Sequence, residues 1–205
     1  MWKQKPKHDS PVAIGTLLAG VIVATIYFFQ LSTMQQTLHI EQHSQRAWLQ
    51  LSSKLNEIVK EQKITRSELL DKMDTIVLPA IISNSGKTPA ISIKVDIVLE
   101  IIRNGEDPPF DYSKRHTVEI WGILFPGERH EFPVIAYRRD GSEAVLTEDE
   151  RQGLRNGQLF IRKYGRITYE DRFGQHWTQY CVWMPFAAGN YTSSSCTPYN
   201  QVDTD

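Results

Sequence analysis

The sequence carries no excess of either charge: 23 Lys and Arg stand against 24 Asp and Glu in 205 residues. A dedicated nucleic-acid binder shows a basic patch or stripe, so no nucleic-acid partner is expected. Cysteine is scarce, with only Cys181 and Cys196, and their spacing matches no zinc pattern. No P-loop, GxSxG or HExxH motif is present. No internal repeat is visible, which excludes a solenoid or propeller. The expectation is a chain without enzymatic activity, with no cofactor and no catalytic or metal-binding residues. With 40% hydrophobic and 10% aromatic residues, the composition suits a β-rich globular core.

Charge is also missing from one long stretch. Residues 11–29, PVAIGTLLAGVIVATIYFF, hold none, and the next charged residue is Glu41. About 20 helical residues cross a bilayer core of roughly 30 Å, and this run with Gln30 and Leu31 reaches that length. A cleaved signal peptide has a shorter apolar region followed by a small-x-small site; YFFQLSTM offers no such site. Residues 11–31 therefore read as a transmembrane signal-anchor. Lys3, Lys5 and Lys7 against Asp9 place residues 1–10 in the cytoplasm by the positive-inside rule, and everything beyond the span outside. Thr16, Gly20 and Ala24 recur every four positions, a candidate helix-packing face through which two copies would form a homodimer.

Residues 32–46 lack Pro and Gly and read as a helical stalk. His39 and His43 share a helix face there, which two metal ligands could use, but a solvated face is the plainer reading. The region 47–184 reads as an extracytoplasmic domain. RAWLQL (46–51) looks like its first strand. The polar segment 53–74 reads as an excursion from the core, with Ser67 opening a short helix. TIVLPAIIS (75–83) contains Pro79 and is expected to be an edge or bulged strand. Ile91, Ile93, Val95, Ile97, Leu99 and Ile101 alternate with mostly polar residues, the clearest half-buried strand. Further strands are expected over 116–125 and 130–138. Thr147 and Glu150 form a capping box ahead of a short helix that Gly157 stops. Two last strands flank DRFGQ. About seven short strands with no βαβ alternation give a mainly β fold: an antiparallel β-sandwich of immunoglobulin-like arrangement with one or two short helices. A barrel is the alternative. Residues 185–205 read as a C-terminal tail.

The run YEDRFGQHWTQYC (169–181) holds the three residue types of a thiol-based catalytic set. On a strand His176 and Cys181, five positions apart, face opposite sides, so the histidine does not serve the cysteine as a base. Asp171 and Gly174 read as turn residues, and Tyr169 and Trp177 as an aromatic pair across the two arms. Gly86 and Pro89 mark a second turn, in NSGKTPA. Two cysteines in an oxidising compartment favour a Cys181–Cys196 disulfide; two free thiols, or a metal site with His176, are the alternatives.

Three stretches, RAWLQL at 46–51, NSGKTPA at 84–90 and YGRITYEDRFGQHWTQYC at 164–181, together resemble a group of uncharacterised bacterial single-pass membrane-anchored proteins. FPGE at 125–128 and GQLFIRKYG before the last hairpin agree with it. The resemblance implies one N-terminal helix in the bacterial inner membrane and a β-rich periplasmic domain. It implies no activity.

The first functional expectation is a membrane-anchored interaction or scaffold module with a protein partner in the cell envelope, bound at a loop end or strand edge; the loops 103–115 and 185–200 are candidates. The second is an extracytoplasmic enzyme or metal-handling protein using His116, His130 or His176. The third is an accessory subunit recruited to a membrane complex through its helix.

Overall fold

The computed structural model of the protein describes residues 11–113 (backbone only for 11–17), 115–138, 140–187, 193–196 and 200–203. The expected cytoplasmic segment 1–10 lies outside them. Two compact units divide the chain, one ending at Ser44 and the other beginning at Gln45.

The first unit is helical. Helix α1 runs from Pro11 to Gln45 without a break, about 50 Å at 1.5 Å per residue. It is long and apolar enough to cross a membrane. Its large apolar side chains, among them Leu18, Ile22, Ile26, Phe29 and Leu38, are exposed on every side, a surface suited to lipid rather than water. Threonine fits there because its hydroxyl returns to the helix: Thr25 donates to Val21 O at 2.8 Å and Thr33 to Phe29 O at 2.9 Å.

The second unit is mainly β. In chain order it comprises β1 (Leu49–Ser53), α2 (Leu55–Gln62), α3 (Arg66–Asp71), β2 (Val77–Asn84), β3 (Ala90–Arg103), β4 (Thr117–Leu124), β5 (Arg129–Ile135), α4 (Glu148–Arg155), β6 (Leu159–Asp171), β7 (Gly174–Met184), β8 (Ser194–Ser195) and β9 (Gln201–Val202). One antiparallel sheet has the order β1-β2-β5; the other runs β4-β3-β6-β7-β8, with β9 also on β7. Both line one core: Leu49, Leu78, Ile82 and Val134 from the first sheet join Ile93, Val95, Ile97, Leu99, Ile161, Ile167 and Met184 from the second. The arrangement is sandwich-like. The alternation holds over residues 93–99, where Ile93, Val95, Ile97 and Leu99 are all buried; Ile91 is exposed, Ile101 half-buried, and Val98 and Ile102 bury the other face as well.

Several local expectations change. Pro79 lies in the centre of its sheet, not at an edge. Its carbonyl accepts from Lys54 N at 3.2 Å, just past the end of β1, and across the ladder it faces Pro133. Two prolines at one non-hydrogen-bonded pair leave the β2–β5 ladder intact. The first strand begins three residues late, at Leu49. The polar segment 53–74 forms two helices and reaches the core through Leu55 and Leu70. Thr65, not Ser67, caps α3, in a capping box with Glu68. Thr147 and Glu150 form the capping box read from the sequence.

Candidate functional site

The three motif stretches converge on one buried cluster. From the last hairpin come Tyr169, Asp171 and His176; from the end of β2 and the turn after it, Asn84, Gly86 and Thr88; from the segment before β1, Arg46, Ala47 and Trp48. Asp171 Oδ2 accepts from Ala47 N at 2.8 Å and Thr88 Oγ1 at 3.4 Å, while Oδ1 accepts from Phe173 N at 2.7 Å. The Tyr169 hydroxyl donates to Ala47 O at 2.9 Å. Buried Asn84 uses its whole amide: Nδ2 donates to Thr88 O (2.8 Å) and Leu124 O (3.0 Å), and Oδ1 accepts from Gly86 N (2.9 Å) and Trp48 N (3.3 Å). Gly86 has to be glycine, because a Cβ there would collide with Arg46 O and the Trp48 backbone. Pro89 stands immediately before β3. Gly174, at φ +145°, closes the hairpin turn.

The cluster's centre is His176. Its Nε2 lies 2.9 Å from Asp171 Oδ1 and its Nδ1 2.7 Å from Asp203 Oδ2. Burial alone would raise both carboxyls. For Asp171, N–H donation from Ala47 and Phe173, then His176, outweighs that effect and holds the group below the usual carboxylate range. For Asp203, His176, Arg46 and the Trp177 N–H do the same. Each ring nitrogen of His176 thus faces a carboxylate oxygen within hydrogen-bond distance. Arg46 completes the chain, with Nη2 2.7 Å from Asp203 Oδ1 and its guanidinium carbon 4.1 Å over the Trp48 ring. The linked groups run in the order Asp171, His176, Asp203, Arg46. Chemically this is a clamp: carboxylates engage both ring nitrogens of His176, and the groups it links are the residues before β1 and the C-terminal tail.

Cys181 points to the other face of β7, paired with Tyr164, whereas His176 pairs with Tyr169 on the core side. Cys181 and Cys196 are joined in a disulfide, Cα atoms 5.2 Å apart. Asn200 reinforces it, accepting from Cys181 N at 2.9 Å and donating to Cys196 O at 2.9 Å. Residues expected to be a loose tail thus form β8 and β9 along the β7 edge. Trp177 pairs with Thr168, on the face opposite Tyr169, so the anticipated Tyr169–Trp177 pair does not form; His176 takes the place beside Tyr169, ring centroids 5.4 Å apart. His116 lies 3.2 Å from Asp96 Oδ1 and His130 packs on Trp121, so each of the three candidate histidines has its own separate setting. Among the described residues, no three His, Cys, Asp or Glu stand together as a metal site. On α1, Gly20 and Ala24 lie one turn apart, while the side chain of Thr16 falls outside the described residues.

A broad concavity lies elsewhere in the domain. A cleft of about 910 Å³ is lined by residues 98–101 of β3, by Asp111, Ser113 and Arg115 of the 103–115 loop, and by Tyr137 and Arg138 after β5. Its walls are stiffened from behind. Arg162, fully buried, donates through Nε to Glu100 (2.8 Å) and through Nη1 to Asp107 (2.9 Å) and Pro108 O (2.7 Å). Phe110 and Tyr112 pack edge-to-face against Tyr164, centroids 4.8 and 5.5 Å away; burial pushes the Tyr164 hydroxyl up to about 12. Arg138 grips both Glu150 oxygens, at 3.0 and 2.8 Å. Arg115 lies over the Tyr137 ring at 4.6 Å and donates to Gly141 O at 3.0 Å.

Sequence reasoning missed Arg46, Asp203, Arg162 and Lys163. Lys163 occupies a core-facing position between Leu99 and Val182, only 2% exposed, and burial pushes its ammonium down to about 8. The signal was there in FIRKYG, where two cations interrupt an apolar strand. The chain matches no protein-family model and no curated protein sequence.

Proposed function

We propose that the chain is a non-enzymatic interaction module anchored in the bacterial inner membrane, with its N-terminus cytoplasmic and its domain of immunoglobulin-like build outside. Helix α1 supports the anchor, and the disulfide is consistent with an oxidising compartment. The strand order supports the build: β1-β2-β5 facing β4-β3-β6-β7 corresponds to immunoglobulin sheets A-B-E and C′-C-F-G. The observation that carries the function is the braced cleft along β3. It is a preformed concavity of the size used for specific ligands, walled by a loop that Arg162 and the Tyr164 stack hold in place. A rigid loop on a β scaffold is a binding surface for a polypeptide partner in the envelope.

The test is affinity isolation of the full-length protein from chemically cross-linked membranes, compared with a Ser113→Trp/Arg115→Glu variant. Both side chains are exposed, so the variant should fold and melt like the parent while losing its specific envelope partner. An unchanged partner set would contradict the cleft as the binding surface.

A further inference from the structure

The four outer strand edges of the two sheets are not treated alike. Strand β1 is short, five residues. Strand β5 carries Arg129, His130, Glu131 and Pro133, charges and a proline of the kind that discourage pairing. The β7 edge is covered by β8 and β9, which the disulfide and Asn200 fasten down. Strand β4 has none of these devices. Over Thr117–Leu124 (TVEIWGIL) it has eight residues, no proline and one charge, Glu119. It pairs with β3 on one side, and among the described residues no strand pairs with its other side. Large apolar groups crowd around it: Ile120 is 72% exposed, and Val118, Ile123, Phe125 and Ile91 are also exposed.

Gly122 has no explanation within the chain. Its φ is not positive, and a Cβ built there meets nothing within 4 Å. Glycine in a strand interior weakens the strand and often marks the close approach of another backbone. The open space at Gly122 lies two residues from Ile120, on the same face of the strand.

We propose that β4 is a homodimer edge, pairing antiparallel with β4 of a second copy about a two-fold axis through Trp121. That register sets Ile120 of each copy opposite Gly122 of the other, so the most exposed side chain of the strand enters the space where a side chain is missing, twice. The strand's single charge is no obstacle to a second copy: the dyad puts each Glu119 opposite Ile123, with the two carboxylates about 13 Å apart along the strands. Two edges with the five apolar side chains on each bury on the order of 1,000 Å², near the low end of stable interfaces. The inference does not depend on the cleft's partner.

The test uses full-length protein in native membranes. Both native cysteines are in the disulfide, so introduced thiols report alone. Differently tagged Ile120→Cys and Gly122→Cys copies are co-expressed and oxidised. The pair should yield a covalent heterodimer, whereas Val118→Cys with itself should yield none, since those positions lie about 20 Å apart across the dyad. Adding Gly122→Ile to a Trp121→Cys background should cut self-cross-linking about tenfold or more without lowering the melting temperature, because its side chain points into open space. Three results would overturn the proposal: no Ile120–Gly122 cross-link, equal cross-linking at Val118, or cross-linking at Trp121 that is indifferent to Gly122→Ile. Cross-links from β4 only to a different protein would assign the edge to that partner and also overturn it.

Discussion

His176 Nδ1 and Asp203 Oδ2 stand 2.7 Å apart although 27 residues separate them in the chain. The contact fastens the C-terminal tail to the hairpin, and Arg46 extends it to the first residue beyond α1. Removing Asp203 would leave the buried Arg46 guanidinium without its carboxylate partner. Asp203→Ala should therefore cost about 3–5 kcal/mol, the usual penalty for breaking a buried pair from one side. Urea denaturation checks this; a loss below about 1 kcal/mol would mean the cluster is not a clamp.

The same cluster sets an acid limit. Asp171 and Asp203 are both held below the ordinary carboxylate value of 3.8. The unfolded chain then takes up protons first as pH falls, so the stabilisation is complete at neutral pH and is lost below about pH 4. Denaturation midpoints from pH 7 to pH 3 should fall in that range. In Asp203→Asn the fall should be shallower, because one of the two linked groups no longer titrates.

Lys163 acts in the opposite direction. With its folded value near 8 against 10.5 for the free side chain, the unfolded state binds the extra proton between those values, so stability rises with pH across that window. At pH 7 the fold carries a buried ammonium. Lys163→Met should stabilise the protein at pH 7 by about 3 kcal/mol, and the gain should shrink as pH approaches 10.5. A gain that is constant with pH would assign the effect to packing.

The disulfide closes a loop of separation 15. Replacing both cysteines by serine should cost about 3 kcal/mol. Amide hydrogen exchange should rise at Thr178–Trp183 of β7, where β8 and β9 cover the strand edge. Unchanged protection there would mean that Asn200 and Asp203 hold the tail without the covalent link.

Much of the architecture is legible locally. Alternation over residues 93–99 marks β3 because its odd-numbered face is fully buried, and Thr147 with Glu150 marks α4 because capping is a three-residue interaction. What escaped the sequence is long-range. Pro79 is tolerated centrally only because Pro133 faces it 54 positions away and Lys54 meets its carbonyl. Asp171 reads as a turn residue, and it does accept from Phe173 N, but its second oxygen serves Ala47, 124 positions away. The three motifs are visible as text; that they meet around one buried histidine follows only once the fold brings them together. The cleft is a property of the assembled loop and sheets, and Arg162, the residue that braces it, looks like a surface cation until Glu100, Asp107 and Pro108 surround it.

The most direct measurement places a photo-cross-linking amino acid at Tyr137, inside the cleft, and another at Gln201, on the tail, in full-length protein in living cells. If the cleft holds an envelope partner, irradiation at Tyr137 should give one discrete adduct that disappears in the Ser113→Trp/Arg115→Glu background, while Gln201 gives none. No adduct at Tyr137, or the same adducts from both positions, would contradict the cleft as the working surface of an anchored interaction module.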